Sequence, residues 1–391
     1  MKNRIKELAH KYAPEFIAIR RHIHANPELS FQEYETSKYI QQQLDNFGVK
    51  YTAGVAGTGI VAIIEGKNPS KKVIALRADI DALPITEAND VPYKSLNTGI
   101  MHACGHDVHT TCILGATRIL QELKDEFEGT IKILFQPGEE KHPGGASLMI
   151  KDGALENPRP DAILGMHVQP SMEAGLLGFR AGQYMASADE IYITIKGKGG
   201  HAAQPHLTTD TILVASHLVV SLQQVISRNN NPFSPSVLSI CAFNGGYTTN
   251  VIPSEVKLMG TFRAMDETWR FKAHEIIKKQ ATELAHAMGA DIDIDILVGY
   301  PCLYNNEEVT ERSRALAGEY LGQENVQDTE VRMGAEDFAF YSQIIPACFF
   351  RLGTGNIAKG ITSGVHTPTF DIDERAIETG IGTMAYLATQ I

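Results

Sequence analysis

No run of eighteen apolar residues, the length a helix needs to cross a bilayer, occurs in the 391-residue chain. Residues 1–15 alternate charged with apolar side chains and lack the apolar centre of a secretory signal, so neither a membrane span nor a signal peptide is expected. Positive charge is also scarce. Against 46 Asp and Glu stand 35 Lys and Arg, a formal net charge of −11, with no basic stripe. A phosphate backbone would be repelled on average, and nucleic acid is not an expected partner. Cysteine is sparse, odd in number and scattered, at positions 104, 112, 241, 302 and 348. That spacing builds no disulfide framework and fits a reducing, cytoplasmic setting. Internal repeats and low-complexity runs are missing too. What remains is ordinary globular composition in a chain too long for one typical domain, so two domains are expected.

One stretch is overloaded. Residues 101–111 read M-H-A-C-G-H-D-V-H-T-T. His102, Cys104, His106, Asp107 and His109 are all candidate metal ligands, and a thiolate with imidazole and carboxylate partners suits zinc or a similar borderline metal. Cys104 and His106 are two apart, so on an extended loop both side chains point the same way.

The rest of the chain alternates strands and helices. Helical spacing covers 17–25 and 31–47, the second with Ser30 and Glu33 in capping-box register and Gly48 as a stop. Residues 59–65 and 73–79 read as strands buried on both faces. A helix over 108–124, a strand over 130–135 running into Q-P-G-E-E, a helix over 144–153 and a strand over 162–166 ending on His167 follow. This is an α/β domain with a mostly parallel sheet. Near Ser187 the style changes. Residues 189–196 and 291–297 alternate polar with apolar, and helices over 210–228 and 267–288 with strands over 237–243 and 255–263 complete the order βαββαβ. That order is the ferredoxin-like, half-exposed antiparallel arrangement. Asp291, Asp293 and Asp295 read as its solvated face. After Tyr300-Pro301 the first style resumes, with helices near 307–321, 335–344 and 373–390 and a strand over 347–352. The expected division is therefore 1–185 with 298–391 as one domain and 186–297 inserted into it. Cys112, Cys241, Cys302 and Cys348 read as buried small hydrophobes.

In an open parallel sheet, ligands bind beyond the carboxyl ends of the strands. Asp79, Cys104, His106, Glu139, Glu140 and His167 all fall there, and His366, before the last helix, sits in a comparable place. Adjacent glutamates after a Pro-Gly turn can divide the work, one binding a metal and the other acting as general base.

The strings M-H-A-C-G-H-D, Q-P-G-E-E, G-M-H-V, G-K-G-G-H-A-A-Q-P-H, T-N-V-I-P, G-A-E-D-F and V-H-T-P occur in this order. So arranged, the chain resembles the aminoacylase, hippurate hydrolase and auxin-conjugate amidohydrolase branch of the dinuclear zinc metallopeptidase (carboxypeptidase) family. The likeness runs from H-A-N-P-E-L-S (24–30) almost to the C-terminus. It implies a dinuclear metallohydrolase domain carrying an inserted lid and dimerisation domain. It also implies that Cys104, His106, Glu140, His167 and His366 hold two divalent ions, zinc first and manganese or cobalt next, with Glu139 as general base. His201 would stabilise the oxyanion from the neighbouring subunit of a homodimer, while Asn250 and Arg263 would hold the substrate. Arg77 stands where more distant members place a ligand histidine, so Asp79 reads as a supporting carboxylate; His102 and His109 read as support as well. His142 occupies a position where a small residue is expected.

The expected activity is hydrolysis of an N-acyl-amino acid. A dipeptidase, aminopeptidase or carboxypeptidase of short peptides is the alternative enzyme. A non-catalytic metal-binding protein is the alternative of another class, and the presence of Glu139 argues against it.

Overall fold

The computed structural model describes residues 1–391. The chain divides into two compact units, one of Met1–Gly182, Tyr304–Glu330 and Asp337–Ile391, the other of Gln183–Leu303 and Val331–Glu336.

The first unit is mixed α/β around an eight-stranded sheet. Its order is Lys50–Val55, Gly59–Glu65, Thr130–Gln136, Val73–Asp79, Ala162–Glu173, Ala347–Gly355, Leu177–Phe179 and Val326–Asp328. The four middle strands, from Thr130–Gln136 to Ala347–Gly355, run parallel. Antiparallel partners border them on either side. Val73–Asp79 and Thr130–Gln136 are buried along their whole length, as continuous apolar runs with helices on the sheet predict. Helices Lys2–Ala25, His106–Glu122 and Arg375–Gln390 pack against one another over this core. No helix is long and apolar enough to cross a membrane.

The second unit has its own core and a four-stranded antiparallel sheet, ordered Ser236–Asn244, Glu255–Ala264, Asp189–Lys196 and Asp291–Val298. Ile191, Ile193 and Ile195 point inward while residues between them are part-exposed, the period-2 pattern of a one-sided sheet. Asp291, Asp293 and Asp295 are exposed, and Lys196 pairs with Asp293.

Several sequence-based expectations need correction. The first helix begins at Lys2 rather than residue 17, because Ile5, Leu8, Tyr12, Phe16, Ile19 and Ile23 form one buried face. Ser30 and Glu33 form no capping box; the first N–H groups of the helix Tyr34–Phe47 go to the Glu28 carboxylate, and both residues bond elsewhere. The strand ending at His167 continues to Glu173, since its pairing with Ala347–Gly355 extends past Arg351↔His167. The helix expected over 335–344 shrinks to Ala339–Ser342. Asp337 is drawn to the sheet, where its carboxylate accepts from Arg77, Gln136 and the Ala146 N–H. Cys241 is exposed on an edge strand, whereas Cys112, Cys302 and Cys348 are buried.

The second unit is tied at its base by Asp189. This fully buried carboxylate accepts Arg270 Nε at 2.9 Å, the Gly299 N–H at 3.0 Å and faces His274 Nε2 at 2.8 Å. Burial alone would raise its pKa; these partners overcome it and hold the group at about 2, against an ordinary 3.8. Because the folded value lies below the unfolded one, the stabilisation, on the order of 2 kcal/mol, is complete above about pH 4 and is lost as pH falls through about 2. Asp189→Asn should lower the urea midpoint at pH 7. The gap to wild type should narrow at pH 3 without closing, since Arg270 stays buried; a gap independent of pH would contradict the assignment.

Candidate metal centre

The strand ends of the first unit deliver a convergent set of donors. Cys104 precedes helix His106–Glu122, and Gly105 between them has φ +83. A side chain at Gly105 would place its Cβ 2.5 Å from Val168, so only glycine lets the loop close on the strand that carries His167. His366, at φ +60, is pinned from the other side by its N–H donating to Ala103 O at 2.7 Å.

Of the five groups of three donors that result, two share Cys104: Cys104 with His106 and His167, and Cys104 with Glu140 and His366. Within each group the ligand atoms lie within 4.8 Å of one another. Cys104 Sγ belongs to both, 3.4 Å from His167 Nε2 and 3.3 Å from His366 Nε2. The ring orientations are set from behind. His106 Nδ1 faces Asp81 O at 2.9 Å and Oδ1 at 3.1 Å, and His167 Nδ1 faces Val168 O at 2.8 Å. Protonation at Nδ1 leaves each Nε2 lone pair aimed inward. His106 Nε2 and Glu140 Oε1 are buried and make no hydrogen bond, although His366 Nε2 lies 3.1 Å from that oxygen. Such orphaned atoms are costly unless a cation meets them, so these residues fit divalent ions.

The electrostatics agree. Burial, with the Glu140 carboxylate adding to it, pushes the Cys104 thiol up. Contacts with Cys104 and Glu140 push His366 up to about 10 despite partial burial. Both shifts mark a place short of positive charge.

Glu139 is buried beside this set, its carboxylate within 4.8 Å of His106 and Glu140 donor atoms and 3.4 Å from the Asp337 N–H. Asp79 sits behind it. It accepts Arg77 Nη1 at 2.6 Å and His109 Nδ1 at 2.6 Å, and lies 3.7 Å from His106 Nε2. His109 Nε2 accepts the Val168 N–H at 2.9 Å, so both of its nitrogens are spent and Asp79, His106 and His109 form no third ligand group. Asp107 points away, to buried Arg20 and His24, which anchor the helix start. His102 is buried outside both groups, its pKa pushed down to about 4 by burial. His142 lies part-buried in the loop after Glu140.

His201, Asn250 and Arg263 belong to the second unit. His201 and Asn250 are neighbours there, since His201 pairs with Val251 and Ala202 N donates to Asn250 O. Arg263 lies near the far end of its strand, opposite Val237.

Peptidase family M20/M25/M40 matches residues 75–390. The chain belongs to this family. It is 40% identical over 363 residues to the N-acetyl-L-cysteine deacetylase of Bacillus subtilis, covering 93% of this chain and 85% of that one. It is 38% identical over 379 residues to an IAA-amino acid hydrolase of Arabidopsis thaliana, covering 96% and 85%. The crystal structure of a dinuclear metal-binding M20 peptidase of B. subtilis superposes with a TM-score of 0.83 at 33% identity, covering 97% and 98%. This M20 chain is a metal-dependent amidohydrolase.

Sequence reasoning about this M20 chain missed Asp81, whose Oδ1 orients His106 while Oδ2 takes Ser30 Oγ at 2.6 Å and the Glu140 N–H at 3.0 Å. Its signal was the D-I-D alternation, which puts Asp79 and Asp81 on the same side of the strand end. Gln136 and Asp337 were missed as well, having no ligand chemistry of their own. Because Cys104 is shared, Cys104→Ala should lower bound metal at both groups, measured per chain by inductively coupled plasma mass spectrometry after gel filtration. A full complement would remove the shared thiolate.

Proposed function

We propose that the chain hydrolyses the amide bond of N-acyl-amino acids, with Glu139 as general base. The observation that carries this is the buried Glu139 carboxylate beside two donor groups suited to divalent ions. The named activities of the B. subtilis deacetylase and the Arabidopsis hydrolase, both of which cut an acyl group from an amino acid, support the substrate class.

Cys104, His106 and His167 would hold one ion, and Cys104, Glu140 and His366 the other, zinc being preferred and manganese or cobalt able to replace it. Ions so held supply a polarised scissile carbonyl and a water of lowered pKa. Glu139 accepts that water's proton as its oxygen adds to the acyl carbon. It returns the proton to the departing nitrogen as the C–N bond breaks; the carboxylic acid and amine so formed part as a carboxylate and an ammonium, the acid's proton passing to the amine, and Glu139 is ionised again. Asp79 and Asp81 keep the imidazoles aimed throughout. The second unit acts as lid and dimerisation domain in this reading. His201 of one protomer donates to the oxyanion in its partner, Asn250 helps to hold the substrate, and the forked guanidinium of Arg263 receives its carboxylate.

Glu139→Gln should cut turnover of an N-acetyl-amino acid by at least ~10²-fold while bound metal stays at the wild-type level. Unchanged turnover would remove Glu139 as base. A panel of acetyl-, benzoyl- and indoleacetyl-amino acids beside blocked and free dipeptides, each with zinc, manganese and cobalt, tests the class. Preference for dipeptides with a free amine would replace it. Mixed Glu139→Gln and His201→Ala chains, each inactive alone, should regain part of the activity in hybrid dimers; no recovery, with exchange verified, places His201 outside the partner's site.

A further inference from the structure

The segment Ser30, Phe31, Gln32 and Glu33 supplies no ligand and has no part in the chemistry described above, yet three of its side chains converge on the loops that do. The Glu33 carboxylate is fully buried. Its Oε1 accepts the Phe31 N–H at 2.8 Å and the Gly138 N–H at 2.9 Å, and its Oε2 accepts Thr58 Oγ1 at 2.6 Å. Gly138 has φ +57, and a Cβ there would come within 2.4 Å of the Phe31 ring, so ring and turn are in direct contact. Phe31 itself holds φ +65, a conformation unfavourable to a non-glycine residue that persists only where its surroundings enforce it. Ser30 Oγ donates to Asp81 Oδ2, the same oxygen that takes the Glu140 N–H.

A purely local role does not account for this arrangement. Ser30 and Glu33 have the spacing to cap the following helix and do not cap it. Apart from the Phe31 N–H two residues away, their side-chain atoms serve partners 25 to 105 positions away in the chain. Both oxygens of this buried group are committed to donors on three segments, so its acceptor is held in one place. It is aimed at the peptide immediately before Glu139.

We propose that Glu33 is a positioning residue for hydrolysis, fixing through the Gly138 N–H the turn that carries both the Glu139 carboxylate and the Glu140 ligand oxygen. The proposal rests on the reading of Glu139 as base and Glu140 as ligand. With the Gly138 peptide held, both glutamates leave the strand end in one orientation. Without that acceptor the Pro137-Gly138 turn can rotate, and a misplacement of about 1 Å at the reacting groups is enough to lower turnover about 10²-fold.

Reach and charge can be separated at this position. Glu33→Asp keeps the charge but falls one methylene short of Gly138; Glu33→Gln loses the charge but keeps an acceptor oxygen at the right distance, with its amide able to donate to Thr58. Kinetics on an N-acetyl-amino acid should show kcat of the Asp variant reduced about ten- to a hundredfold with KM changed by less than about threefold. The Gln variant should recover most of the loss. Zinc release to a chromogenic chelator should be faster in the Asp variant than in wild type, a readout independent of turnover. Wild-type kcat and zinc release in a folded Asp variant would overturn the proposal, and so would a Gln variant as impaired as the Asp one. If circular dichroism shows Glu33→Asp unfolded, Thr58→Val, which leaves Oε2 without its donor and loosens the carboxylate that holds Gly138, should lower the melting temperature and, in the folded protein, lower kcat several-fold with KM changed by less than about threefold; wild-type kcat in folded Thr58→Val overturns the proposal as well. Glu139→Gln run alongside separates the two readings. If that variant still turns over, the base assignment fails, and the zinc-release comparison alone decides the role of Glu33.

Discussion

A guanidinium with no access to water must be neutralised on the spot, and the burial of Arg77 dictates much of what surrounds the centre. Its three nitrogens reach three separate segments, with Nε on Gln136 at 2.9 Å, Nη1 on Asp79 at 2.6 Å and Nη2 on Asp337 at 2.7 Å. Removing one partner from such a cluster leaves an uncompensated buried charge, typically about 3 to 5 kcal/mol. The ends of two parallel strands and the start of the Asp337 segment are therefore fastened together. Each partner then passes the constraint on. Asp79 holds His109, His109 holds the Val168 N–H next to His167, and Gln136 leads directly into the turn of Glu139 and Glu140. The donors converge because a buried cation must be satisfied behind them.

Much of this could be read from residues alone, and the limits are physical. The strands over 59–65, 73–79 and 130–135 were legible as continuous apolar runs, and so was the period-2 alternation of 189–196 and 291–297. Cys104, His106, Glu140, His167 and His366 were legible as polar residues in suspicious places, but their mutual proximity came only from a likeness to a family. Spacing carries no information about which strand ends lie side by side. Asp81, Gln136 and Asp337 escaped because their work is to hold other side chains, and nothing in composition separates an orienting carboxylate from a solvated one. The first half of the first helix escaped for a different reason: residues 1–15 read as an alternation of charged and apolar side chains, which hid the helical spacing of Ile5, Leu8, Tyr12 and Phe16 that burial makes plain.

The misread cap at Ser30 and Glu33 shows where local rules give way. Sequence and local structure usually agree, and the exceptions gather where function has claimed a residue. Here two good capping residues leave the start of their helix to Glu28, which accepts the Glu35 and Thr36 N–H groups, while Phe31 and His366 both adopt a left-handed backbone that neither favours. All four face the same few atoms. Ser30 and Phe31 steady Asp81 and Gly138, Glu33 grips the Gly138 peptide, and the twist at His366 turns its Nε2 toward Cys104. Departures that look unrelated along the chain converge on a single place in the fold.

The sign of the charge at that place completes the argument. Asp79, Asp81, Glu139, Glu140 and the Cys104 thiol meet with one buried guanidinium, Arg77, among them, and burial alone would drive such acids toward their neutral forms. The structure counters this for Asp79 and Asp81, which neighbouring imidazoles and hydrogen bonds hold below the ordinary carboxylate range against the cost of burial. It provides no such fixed relief for Cys104, whose thiol is pushed up, or for His366, which instead gains affinity for a proton. The supporting carboxylates are thus kept charged by the protein, while the inward-facing donors lack positive charge. Protons or divalent ions can supply it, and they compete for the same lone pairs. A fold that spends Arg77, Ser30 and Glu33 on holding those lone pairs in place favours the metal, because a proton needs one donor and an ion needs several at once.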